Sequence, residues 1–194
     1  MTAPVRLFLF SSDEELDDAL PPSAMSPAKY LATAPPWSPR LDDTVLWLEG
    51  AKDPLVISPL GRLNEIAPQL LEAAARLEAG QPALLRTASD STGVFLALEP
   101  HGEEVVPALL AELPAPLSSY YPLERSFFYP PEPVDQRAAL YAHLREHRAD
   151  LVPRRVDGTP QDRIGAVRWP RAQTISALRA EAQAALALLE RLAS

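Results

Sequence analysis

A chain of 194 residues with 47% hydrophobic and 23% charged side chains is long enough to bury a proper core, and its composition excludes wholesale disorder. Its 26 acidic against 18 basic residues, a formal net charge of -8, argue against nucleic acid as a primary partner and suit a basic protein partner. With no cysteine, disulfides, thiolate-bound zinc and thiol catalysis are all excluded.

Val5 to Phe10 reads as a buried strand. Ser11 or Ser12 offers a cap for a short acidic helix to about Leu20, with Asp13, Glu14 and Glu15 in the first turn, where the helix dipole favours carboxylates. Pro21-Pro22 ends it. Ser26-Pro27 is a second helix start, with serine at the cap and proline at the first helical position. A proline-bearing loop around Trp37 leads to a strand over Thr44 to Glu49, and Asp53-Pro54 can turn Leu55-Val56-Ile57 back against it as a hairpin.

From Leu63 the apolar residues fall at Leu63, Ile66, Leu70, Ala74 and Leu77, one face of a helix, and Gly80 stands where a C-terminal cap belongs. Ala83 to Thr87 and Gly93 to Leu98 read as strands around Ser89-Asp90-Ser91. A helix is expected from about Glu103 to Leu113. Residues 118 to 133 then gather five of the chain's ten Phe and Tyr residues and four prolines, which suits a short buried strand over Arg125 to Tyr129.

Residues 134 to 149 read as helical, 152 to 169 as a polar, arginine-bearing loop, and Pro170 opens the longest helix. Its stripe Ile175, Leu178, Ala182, Ala185, Leu189 and Leu192 suits docking on the chain's own core; the same periodicity allows a homodimer. The fold class expected is α+β, a mixed or mainly antiparallel sheet with helices packed on it and a long C-terminal helix. Residues 1-133 form the acidic α+β core and residues 134-194 a helical part packed on it, one domain overall.

Charge is unevenly divided. Residues 1-119 carry 17 acidic and 7 basic side chains, a balance of -10, whereas residues 120-194 carry 9 and 11, a balance of +2. That pattern suits either a docking face or pairing between the two parts. Sixteen arginines against two lysines, with 22 prolines, match a GC-rich coding bias and hence a bacterial origin. The first residues lack a secretory leader pattern and no segment reaches membrane-spanning length, so a cytoplasmic location is expected.

Motifs for chemistry are few. The seven glycines never form a phosphate-cradling loop, and no G-x-S-x-G elbow occurs. Ser26-Pro27-Ala28-Lys29 fits the S-x-x-K of penicillin-binding enzymes but lacks its companion K-T-G; a serine cap explains it. His143-Leu144-Arg145-Glu146-His147 matches the H-x-x-E-H motif of inverzincin metalloproteases over five residues, with His143 and His147 one turn apart and Glu146 as base. That resemblance implies a metal-dependent hydrolase and a third ligand from a glutamate far downstream, where Glu181 and Glu190 are the only glutamates left.

The leading expectation is therefore a small acidic protein that binds another protein, an immunity-type toxin inhibitor or accessory partner, without cofactor, metal or catalytic residues. Its contact residues would be Asp13, Glu14, Asp17 and Asp18, together with the loop aromatics Trp37, Tyr120 and Tyr121. The hydrolase built on His143, Glu146 and His147, and a structural homodimer through the C-terminal helix, are the alternatives.

Overall fold

The computed structural model of the chain describes residues 3-14, 20-49, 55-57, 62-87, 94-110 and 167-194. Its elements run β1 (Val5–Phe8), α1 (Pro27–Thr33), β2 (Val45–Leu48), β3 (Leu55–Ile57), α2 (Leu63–Glu78), β4 (Ala83–Thr87), β5 (Val94–His101), β6 (Glu104–Leu110), β7 (Trp169–Pro170) and α3 (Arg171–Ala193). This is the α+β class with a long C-terminal helix.

Among the described residues every strand pairing is antiparallel, in two sheets of order β1-β2-β3 and β4-β5-β6-β7. In the first sheet Val5 lies opposite Leu48 and Leu7 opposite Leu46. These four side chains are buried, while the alternate residues Arg6, Phe8 and Trp47 are half-buried, as the period of two in a strand requires. Leu9 leaves the ladder to exchange backbone bonds with Met25.

One hydrophobic cluster joins Val5, Leu7, Leu46 and Leu48 to Leu63, Ile66, Leu70 and Leu77 of α2, to Leu85, Leu96 and Leu98, and to Leu178, Ala182, Ala185 and Leu188 of α3. Helix α2 packs along α3, which also meets α1, β1, β6 and β7. The stripe that α3 buries is Thr174, Ala177, Leu178, Ala182, Ala185 and Leu188. It is turned from the expected one: Ile175 and Leu189 are only half-buried, and Leu192 is 45% exposed. Small residues at 174, 177, 182 and 185 let α3 approach α2 closely, and that selects the face.

The expected helix over Glu103 to Leu113 is corrected: Glu104–Leu110 is the strand β6. Gly102, at φ 62, and Glu103 form a two-residue hairpin loop that pairs His101 with Glu104. A helix from Glu103 would place Pro107 in its second turn, at a cost of about 3 kcal/mol. In the strand, Pro107 faces Leu98 and Pro100 faces Val105. Counted from the hairpin's closing pair, both occupy non-hydrogen-bonded positions of the β5-β6 ladder, where a missing N–H costs that ladder nothing.

Two junctions close the structure. The last turn of α2 ends in a Schellman arrangement: Gln81 N–H donates to the Arg76 carbonyl (2.8 Å) and Gly80 N–H to that of Leu77 (3.0 Å), with Gly80 at φ 71. Arg171, the first residue of α3, adds its guanidinium there. Nε donates to the Leu77 carbonyl (2.8 Å), one terminal nitrogen to that of Glu78 (3.0 Å) and the other to that of Gly102 (3.1 Å). A cation at a helix C-terminus also meets the negative end of the dipole. Trp169, expected in a loop, is 2% exposed and donates its indole N–H to the Glu49 carbonyl (3.0 Å), tying the second sheet to the end of β2.

Candidate functional site

A described cluster that joins charged and aromatic side chains at a partly open seam is built on β1. The register puts Arg6 opposite Trp47 and Phe8 opposite Val45, on the face turned away from the core. The Arg6 guanidinium lies 3.9 Å from the Trp47 ring centroid and 5.5 Å from that of Phe8, a cation-π stack between two cross-strand neighbours. Across the edge of the same strand comes Glu181 of α3, whose carboxylate is held by the Leu7 backbone amide.

Glu181 sits where the helix meets the edge of β1 that is unpaired among the described residues, so its carboxylate blunts that edge against pairing. Burial pushes its carboxyl up to about 7, against the smaller opposing effects of the Leu7 amide and the Arg6 charge. Glu181 Oε2 and Arg6 Nε are both buried without a hydrogen-bond partner among the described residues. The cluster can present a guanidinium on an aromatic platform and exchange a proton near neutrality.

Sequence reasoning passed over Arg6, Trp47 and Glu181 as a group. The alternation Val5-Arg6-Leu7-Phe8 did carry a signal: an arginine inside an otherwise apolar strand must face a platform or a charge. Only the fold brings residue 181 to residue 6.

Of the expected contact residues, Asp13 is exposed. Glu14 is committed internally: its carboxylate accepts from the Ser23 hydroxyl and from the Ser23 amide (3.3 Å), while Ser23 Oγ accepts from the Ser11 amide (2.8 Å). Ser11 to Glu14 form a turn, and the rest of the expected acidic helix, with Asp17 and Asp18, lies outside the described residues. Trp37 is half-buried in its loop, edge-on to Tyr30 with ring centroids 5.0 Å apart, and its carbonyl accepts from the Tyr30 hydroxyl (2.8 Å).

Tyr120 and Tyr121 with the aromatic stretch around them, the helix over residues 134-149, and His143, Glu146 and His147 also lie outside the described residues. The leftover glutamate Glu181 is engaged at β1. Among the described residues no group of three acidic or histidine side chains is placed to hold a metal, and no helix is long and apolar enough to cross a membrane. Ser26 is a helix cap, its hydroxyl accepting from the Lys29 amide (3.3 Å), as expected. No protein-family model, no curated protein and no solved structure matches the chain.

Proposed function

We propose that the chain is a binding protein that engages a basic protein partner through its acidic first part, as an immunity-type toxin inhibitor or an accessory subunit does. The observation that carries this reading is the segregation of charge: a balance of -10 over residues 1-119, with Asp13, Asp42, Glu65, Glu78, Glu103 and Glu104 all exposed. Part of that charge is met within the molecule, since Arg168 pairs with Glu104 (3.0 Å) and Arg179 with Glu78. The remainder gives a field that steers a cationic partner.

The test is affinity capture from the native cell at low and high salt, comparing the unmodified chain with Asp13→Asn/Asp17→Asn/Asp18→Asn. Glu14 is left intact because it holds Ser23. A basic protein retained by the unmodified chain at low salt, and weakened by both the triple substitution and salt, is the expected result. Capture unaffected by either change refutes the electrostatic reading.

A further inference from the structure

We infer that Arg6 is a two-position side chain governed by the proton on Glu181: stacked on Trp47 when Glu181 is neutral, and turned to the carboxylate when Glu181 is ionised. This inference is independent of the proposed binding function. It starts from two buried atoms of opposite chemistry, Arg6 Nε and Glu181 Oε2, neither of which has a hydrogen-bond partner among the described residues. They belong to β1 and α3, which pack on each other.

A buried carboxylate oxygen without a donor is costly, and among the described residues two events relieve it. One is protonation, which leaves Arg6 over Trp47 at 3.9 Å. The other is arrival of Arg6, whose charge acts on Glu181. Arg6 adjoins Leu7, whose amide fixes Glu181 at the strand edge, so its flexible stem needs to move only around that edge. Burial places the exchange at about pH 7.

Among the described residues, Arg6 is the charged group that acts on Glu181. The titratable side chains on the other elements packed against α3 are engaged or turned to solvent. On α1, Tyr30 donates to Trp37 and Lys29 is exposed. On α2, Glu78 pairs with Arg179, Arg76 donates to the Pro82 carbonyl and Glu72 has interactions of its own. On β6, Glu104 pairs with Arg168; β7 carries no titratable side chain.

The test is an NMR titration of the full chain from about pH 5 to about pH 9, a span chosen around a carboxyl raised into the neutral range. It follows the three tryptophan indole N–H signals, with Trp47 assigned by Trp47→Phe. The Trp47 signal is expected to move through one inflection near 7 as the guanidinium leaves its ring. Glu181→Gln and Arg6→Gln should each abolish that inflection, while the Trp37 and Trp169 signals report that each variant remains folded. A Trp47 signal that stays still across the range, or one that keeps its inflection in either folded variant, overturns the inference.

Discussion

Replacing Arg171 tests how the two parts of the chain are joined. Arg171→Met keeps much of the apolar stem and removes three guanidinium bonds, to the carbonyls of Leu77, Glu78 and Gly102. The bond to Leu77 is partly buried and charge-assisted, worth about 1.5 kcal/mol. The other two are exposed and contribute about 0.5 kcal/mol each at the low end of the range, while the helix dipole adds about 0.5 kcal/mol. The expected loss is therefore about 3 kcal/mol. In urea, with a slope of about 2 kcal/mol/M for a protein of this class, the midpoint should fall by about 1.5 M at unchanged slope. Arg171→Lys should recover less than half of that, since an ammonium cannot span three acceptors in a planar fork. A midpoint for Arg171→Met within about 0.2 M of the unmodified protein, against that same slope, would refute the junction as a stabilising element.

Glu181 gives a pH dependence of stability with a definite sign. Its carboxyl is raised from 4.5 to about 7 in the folded state, so between those values the native state holds a proton that the unfolded chain has released, and stability must fall as pH rises. The contribution is fully present below 4.5, lost through 7 and amounts to at most about 3 kcal/mol; Glu181→Gln should flatten the profile in urea melts at pH values on either side of 7. Ala34 caps α1 at φ 43, a left-handed conformation that costs a residue with a Cβ about 1 kcal/mol, so Ala34→Gly should raise the thermal midpoint, and an unchanged or lower midpoint would contradict the strain. Conversely Gly102→Ala, at φ 62 with nothing within 4 Å of the added carbon, should cost about 1 kcal/mol through backbone strain alone, read as a lower urea midpoint. Trp169→Phe leaves the Glu49 carbonyl without its indole donor and should lose about 1 to 3 kcal/mol in the same assay.

The helices with regular stripes and chemically marked ends were legible in the residues. Ser26-Pro27 announced α1, and Leu63 to Leu77 followed by Gly80 announced α2 to within a residue, because cap chemistry and apolar spacing are local properties. The β6 hairpin was missed where local signals conflict: Ala108, Leu109 and Leu110 favour helix, while Gly102, Val105-Val106 and Pro107 favour a turn and strand, and pairing with β5 decides. The rotated face of α3 was not legible because alanines and a threonine carry a weaker hydropathy signal than Ile175 or Leu192, although close helix packing needs small residues. The expected contact residues Asp13 and Trp37 were named on residue type alone. That Glu14 folds back on Ser23, and that Glu181 meets Arg6 across 175 positions of chain, depends on tertiary contacts that no spacing encodes.

The central functional claim is that the acidic first part captures a cationic protein. Its most direct measurement is the association rate of the purified pair as a function of salt, for the unmodified chain and for Asp13→Asn/Asp17→Asn/Asp18→Asn. The account predicts an association rate that falls steeply with salt and is slower in the substituted chain at low salt, with dissociation little changed. An association rate indifferent to salt and to these three substitutions would contradict it.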